Sequence, residues 1–262
     1  MPCVIKDATE DSANPIPVDV NNLPGPHPTL SSADVHVWHA DLDTYPADGF
    51  LPLLSEDEVS RARRFHFSKD RNHFIVARGL LRKLLGDYLN IEPARLRFAY
   101  AEKGKPALED SQRSLLSFNL AHSHGKAIYA FSRGRAVGVD LEFVREDVAG
   151  DKIAERFFSP FEIAALKALT PELREQAFFD CWTRKEAYIK ARGDGLSMPL
   201  DEFDVSLAPG EEAALLQNPK EPEEVRRWTM RTITVAPGYV AALVVEGDDF
   251  RLQTFQLDLI AG

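Results

Sequence analysis

The sequence predicts an α+β fold built from two similar halves. A strand, a short helix, a long helix and a set of strands follow one another, and then the same order begins again. Hydrophobic periodicity switches between strand-like alternation and helix-like spacing at matching points of the two halves. The chain of 262 residues is long enough to bury a core in each.

The first strand is expected at Val35–Leu42, where apolar residues mostly alternate. Ser55 with Glu58 three positions later reads as a capping box opening a helix. A longer helix follows over about Lys69–Leu89, with Phe74, Ala77, Leu81, Leu84, Leu85 and Tyr88 on one face. Strands are predicted at Leu96–Ala101, Leu116–Leu120 and Ala127–Ser132. The second round starts with a strand at Ala136–Phe143. Ser159-Pro160-Phe161-Glu162 caps a helix, and a long helix at about Pro171–Ala191 stops at Gly193-Asp194-Gly195. Strands at Phe203–Leu207, Trp228–Val235 and Val240–Val245 complete it, and the acidic run Ala208–Glu224 reads as a surface loop. Residues 1–32, rich in proline and polar residues, are expected to be a flexible tail. The halves are then 33–135 and 136–262. A ligand would belong in the cleft between them.

Composition narrows the partners. A net charge of −10 argues against nucleic-acid binding through bulk positive charge, though a local basic cluster can still serve one anion. Two cysteines far apart, Cys3 and Cys181, speak for a reducing cytoplasm rather than a disulfide framework. The acidic start does not read as a signal peptide, and the longest apolar run, Tyr239–Val245, is too short to span a bilayer.

Four clusters could carry chemistry. In Gly138-Val139-Asp140-Leu141-Glu142, alternation sends both carboxylates to one face, where they repel unless a positive group lies between them. A hard divalent cation such as Mg²⁺ satisfies them and keeps sites for phosphate and water; a wet acidic strand face is the plainer reading. In Cys181–Lys190, Phe178, Cys181, Trp182 and Ile189 make an apolar stripe, and Thr183, Glu186 and Lys190 share the adjacent polar face. Glu186 and Lys190 form a helix-stabilising (i, i+4) pair, or else supply a metal ligand and a phosphate contact. Lys185 falls close to the apolar stripe, where it would snorkel. Lys103-Gly104-Lys105-Pro106 and the loop His122-Ser123-His124-Gly125 offer cations and donors to an anion, with His122 equally readable as a packed histidine and His124 as incidental. Last, Arg61, Arg63, Arg64, Lys69, Arg71, Arg78, Arg82 and Lys83 are either a solvated helical face or the grip on a phosphate dianion. No P-loop, zinc spacing or G-x-S-x-G elbow occurs.

Taken in order, Lys-Gly-Lys-Pro, Phe-Asn-Leu-x-His-Ser, Gly-Val-Asp-Leu-Glu, Arg-Phe-Phe-Ser and Trp-Thr-Arg-Lys-Glu-Ala-x-x-Lys-x-x-Gly-x-Gly-Leu resemble the Sfp-type 4'-phosphopantetheinyl transferases, over about Val35–Val245. The resemblance implies a pseudo-dimer of two α+β halves with coenzyme A in the cleft, and a monomer with internal pseudo-symmetry. It implies that Asp140, Glu142 and Glu186, in the C-terminal half, hold Mg²⁺, with Mn²⁺ as the alternative, and that Lys190 contacts the same phosphates. His122 and Lys105 match positions that contact the coenzyme's phosphates, and Arg61 and Arg78 match basic positions at its adenosine phosphate end. The chain departs from the pattern in having Ala121 before the histidine, one extra residue at His124, and Glu58 where some members carry lysine.

The implied reaction passes the 4'-phosphopantetheine group from coenzyme A to a serine hydroxyl of an apo acyl, polyketide or peptidyl carrier protein, releasing 3',5'-ADP. Glu186 or Lys190 would take the serine proton, with Glu186 favoured. No nucleic acid or membrane is expected to take part. The competing readings are a coenzyme A or carrier-protein binding module and a metal-dependent phosphohydrolase.

Overall fold

Strand alternation and two amphipathic long helices decide the layering of the chain. The computed structural model describes residues 28–100, 106–109, 115–145, 150–193 and 198–258. The first half contains β1 (Asp34–Asp41), two 3₁₀ turns, α1 (Glu56–Ala62), α2 (Ser68–Leu89), β2 (Phe98–Tyr100), β3 (Pro106–Leu108), β4 (Leu116–Ser123) and β5 (Lys126–Arg133). The second contains β6 (Val137–Phe143), α3 (Gly150–Phe157), α4 (Pro160–Ala168), α5 (Pro171–Arg192), β7 (Asp204–Val205), β8 (Leu215–Gln217), α6 (Glu224–Arg227), β9 (Trp228–Thr232), β10 (Tyr239–Glu246) and β11 (Arg251–Leu257).

The two larger sheets have the orders β11-β1-β5-β4 and β6-β10-β9, and β2-β3 and β7-β8 form two-stranded sheets. With β11 left aside, the first, last and next-to-last strands of each half thus pair in the same antiparallel order. Because side chains alternate, each of the larger sheets has two apolar faces. Val35, Val37, Ile128 and Ala130 of one sheet meet Val139, Leu141, Leu243 and Val245 of the other in a shared cluster. The outer face of the first sheet, with Trp38, Tyr129 and Phe131, is covered by Phe74, Leu81, Leu84 and Leu85 of α2. The outer face of the second, with Val240, Ala242 and Val244, is covered by Phe178, Cys181 and Tyr188 of α5. The result is helix, sheet, sheet, helix.

Each half also repeats one buried ionic device. Glu58, at the third position of α1, accepts from the backbone N–H of Ser55 at 3.0 Å and from Arg82 Nε on α2 at 2.6 Å. Arg82 further donates to the carbonyls of Pro93 and Leu96, both at 2.9 Å, and lies 5.0 Å from the Phe98 ring centroid. In the second half Glu162, at the third position of α4, accepts from Ser159 N–H at 2.9 Å and pairs with Lys185 Nζ on α5 at 2.8 Å. Lys185 donates to Leu200 and Phe203 carbonyls and sits 4.1 Å from the Phe203 centroid. Lys185 therefore does not snorkel: it is wholly buried, because a carboxylate, two carbonyls and an aromatic face replace its water.

The halves meet along the edges of β4 and β6. Asn119 Oδ1 accepts the Val139 N–H at 2.9 Å, so a side chain takes the place of a missing ladder bond. On the other side of β6, Gly138 lets α5 come close: a Cβ there would stand 2.8 Å from Ala191 Cα and closer still to the Ala187 carbonyl oxygen. Gly193, with φ +82°, then ends α5.

Three parts of the architecture differ from the sequence expectation. Leu30 is buried in the first core and its carbonyl accepts from Arg133 Nε at 2.9 Å, so the end of the expected tail is packed. The expected acidic loop contains β8 and the start of α6. The last strand, β11, crosses back to pair in parallel with β1.

Two outcomes follow from these contacts. Gly138→Ala is expected to lower the unfolding free energy by about 1–3 kcal/mol or more through forced displacement of α5. Lys185→Ala, which strands Glu162, is expected to lose roughly 3–5 kcal/mol, with much of it regained by replacing both partners with apolar residues of similar volume. Urea titration of each variant measures both.

Candidate functional site

The acidic side of the site is built on β6 and α5. Gly138, Asp140 and Glu142 face α5 while Val139 and Leu141 face the other sheet. With α5 brought close at Gly138, Lys190 Nζ reaches Asp140 Oδ1 at 2.6 Å. Asp140 is buried, and its other oxygen, Oδ2, has no hydrogen-bond partner among the described residues. Glu142 Oε2 accepts from Ser123 Oγ at 3.0 Å.

The carboxylates press on one another. Burial chiefly, and the Asp140 charge next, push Glu142 above the usual carboxylate range, with Ser123, Lys190 and Arg145 opposing. Burial likewise pushes Glu186 up, and Asp140 and Glu142 add to it while Lys190 opposes. Burial alone would lower the Lys190 ammonium, but Asp140 first and then Glu186 and Glu142 outweigh it and raise it. Among the described residues no three His, Cys, Asp or Glu side chains are already gathered closely enough to enclose a metal ion. These three share one electrostatic neighbourhood, with a lysine in it.

The basic side comes mostly from the first half. His122, at the end of β4, is open to solvent on one side and crowded by protein on the other. Burial lowers its pKa, and His73, Lys190, Arg61 and Arg78 lower it further. Those four groups therefore lie within electrostatic reach of His122. Arg61 is exposed at the end of α1, 5.4 Å over the Phe74 ring. Arg78 is buried and pairs with Glu58 at 3.0 Å, with Phe98 5.2 Å away. Glu58 itself is buried between Arg78 and Arg82, which accounts for an acid at a position where a lysine was the alternative. Lys105 lies outside the described residues, as does Gly195.

Sequence reasoning passed over His73 and the contact made by Ser123. His73 is buried, with Nε2 2.8 Å from Asp43 Oδ1, and Lys69 reaches the same carboxylate at 3.7 Å. A histidine in phase with the apolar stripe of α2 was the signal for it. Ser123 was read only as part of the anion-facing loop, since its partner Glu142 becomes a neighbour only when β4 and β6 meet.

Acidic and basic sides converge at that seam. An elongated anion with several phosphate groups can lie along the cations of the first half, while the second half offers oxygen ligands to a counter-cation.

Two family descriptions match the chain in tandem: "4'-phosphopantetheinyl transferase, N-terminal" over residues 38–132 and "4'-phosphopantetheinyl transferase superfamily" over residues 136–244. The chain is 39% identical over 225 residues to the 4'-phosphopantetheinyl transferase HetI of Nostoc sp., covering 85% of this chain and 92% of HetI. It is 34% identical to a putative 4'-phosphopantetheinyl transferase of Synechocystis sp., covering 74% of this chain and 77% of that protein. It is 29% identical to the 4'-phosphopantetheinyl transferase Sfp of Bacillus subtilis, covering 77% of this chain and 86% of Sfp.

The crowded carboxylates have a measurable consequence. A glutamate whose folded pKa is raised favours the fold at low pH, and that contribution is lost as pH rises through the folded value. Without metal, Glu142→Gln and Glu186→Gln are therefore expected to melt no lower than the parent at pH 8, and up to a few °C higher. The gain should shrink toward pH 4. Thermal melts across that range check the sign.

Proposed function

The chain belongs to the 4'-phosphopantetheinyl transferase family, and from that premise we propose that it transfers the 4'-phosphopantetheine group of coenzyme A to a serine of an apo carrier protein. The product besides the loaded carrier is 3',5'-ADP. The observation that carries the reading at residue level is the seam itself, where His122, within electrostatic reach of Arg61 and Arg78, is also within reach of Lys190, which shares its surroundings with Asp140, Glu142 and Glu186.

A divalent cation fits the acidic side. Asp140 Oδ2 is a buried acceptor without a partner among the described residues; burial and then Asp140 hold Glu142 above its ordinary range, and burial, Asp140 and Glu142 do the same to Glu186. In our reading Asp140, Glu142 and Glu186 hold Mg²⁺, or Mn²⁺ in its place. Bound there, such a cation would supply charge neutralisation for the diphosphate and the leaving group. Lys190 then contacts the phosphates, and His122, Arg61, Arg78 and Lys105 contact the coenzyme's phosphate groups from the first half.

The transfer is a displacement at phosphorus. The carrier serine oxygen forms a bond to the β-phosphorus, and the bond from that phosphorus to the oxygen of the 3',5'-ADP portion breaks. Positioning and charge neutralisation supply most of the rate. Glu186 takes the serine proton, directly or through a water; its burial makes it a stronger base than an exposed glutamate. Lys190 is the weaker candidate, because its carboxylate neighbours keep it protonated. We take the acceptor to be an acyl, polyketide or peptidyl carrier protein, met in the cytoplasm by a monomeric enzyme whose buried Cys181 stays reduced.

The mass of an apo carrier incubated with coenzyme A and Mg²⁺ tests the proposal. Glu186→Gln is expected to reduce transfer by about 10²–10⁴-fold, and excess EDTA should stop it in the parent. His122→Ala should raise the KM for coenzyme A by roughly tenfold with less effect on kcat, as expected for loss of a charge-assisted hydrogen bond. Unchanged transfer by Glu186→Gln would remove that residue from the mechanism.

A further inference from the structure

The turn between β4 and β5 touches the second half in ways that phosphate binding by His122 does not require. Ser123 Oγ donates to Glu142 Oε2 at 3.0 Å and accepts the Phe143 N–H at 3.3 Å. His124 Nδ1 stands 3.1 Å from the same hydroxyl. A serine hydroxyl has one proton to give and two lone pairs to fill. With that proton directed to Glu142, one lone pair accepts the Phe143 N–H and the other is open to the Nδ1–H tautomer of His124.

His124 is itself held in place. Its φ of +45° is left-handed, a conformation that a residue with a Cβ keeps only where its surroundings enforce it. The Tyr239 hydroxyl donates to its carbonyl at 2.6 Å, and its ring lies 5.1 Å from that of Phe143, which lies 5.0 Å from Tyr239. The hydroxyl of Ser123 is thus aimed by contacts from both halves.

We propose that Ser123, with His124 fixed beside it, is a positioning residue for Glu142. The first half sets the orientation in which the second half presents this carboxylate to its cation. Holding Oε2 leaves Oε1 as the oxygen to offer, and partners behind a metal ligand commonly govern both its orientation and its affinity. The inference rests on the proposed metal site.

Metal binding read apart from turnover tests it. Mg²⁺ and Mn²⁺ are titrated into the full chain, with binding followed by calorimetry, by Mn²⁺ electron paramagnetic resonance and by the shift in melting temperature. Ser123→Ala is expected to weaken cation binding about tenfold, to raise the Mg²⁺ concentration needed for half-maximal transfer in parallel, and to leave the KM for coenzyme A at saturating metal nearly unchanged. Ser123→Thr, which keeps the hydroxyl, should restore affinity. His124→Gly relieves the left-handed backbone and so keeps the fold, and it should weaken metal binding in the same direction by a smaller factor. Should the parent bind no divalent cation by any of these measures, the metal site and this inference fall together. If the parent binds and both Ser123→Ala and His124→Gly bind equally well, only the positioning role is overturned.

Discussion

A buried glutamate paired to a buried base fixes each half of this molecule. An unpaired ion in either position would cost several kcal/mol, so the short capped helix and the long helix keep one relative placement. Glu58 with Arg82 sets α1 on α2, and Glu162 with Lys185 sets α4 on α5. In the second half the pair also fixes the rotation of α5 about its axis. With Lys185 facing inward, the polar residues beside it on the wheel, Glu186 and Lys190, come to the side that approaches β6. The close passage at Gly138 then brings Lys190 onto Asp140.

The site is two-signed by construction. Its acids stand on one half and most of its bases on the other, so neither half alone presents a complete surface to a phosphate chain with a counter-cation. Asn119 and Ser123 hold the two together with side-chain bonds to the backbone of β6 where no strand ladder runs between them. On the acidic side electrostatic strain falls on Glu142 and Glu186, which are poorly solvated. A cation there would relieve repulsion that the fold otherwise bears, which makes ligand binding and local stability two aspects of one balance.

Much of this was legible in the chain before any coordinates. Alternation placed β1, β5, β6 and β10, and apolar spacing placed α2 and α5 to within a residue or two. Ser55 with Glu58 and Ser159 with Glu162 were readable as helix starts, because a capping box is local. The second use of each glutamate was not, since Arg82 and Lys185 lie far downstream and only tertiary packing brings them near. The same limit hid Ser123 and explains the misplacement of Lys185: a helical wheel shows that a lysine is close to an apolar stripe, not that a carboxylate waits there. Strand β11 escaped because its exposed, mixed-polarity pattern, with only Leu257 buried, lacks the alternation that marked the others. The grouping of Asp140 and Glu142 on one face followed from strand geometry; their nearness to Glu186 and Lys190 required the packing of α5.

The return of β11 to the first sheet has a consequence for how the chain is made. Its partner β1 leaves the ribosome well before residues 251–257 do. Until then the first sheet lacks its outer strand, and the edge of β1 that β11 will cover stands open to any other extended segment. Arg251 closes that edge with an ion pair to Asp34 at 2.9 Å. The nascent chain must therefore guard an unfinished edge until β11 arrives, and the first sheet is completed only after the strands of the second sheet have been made.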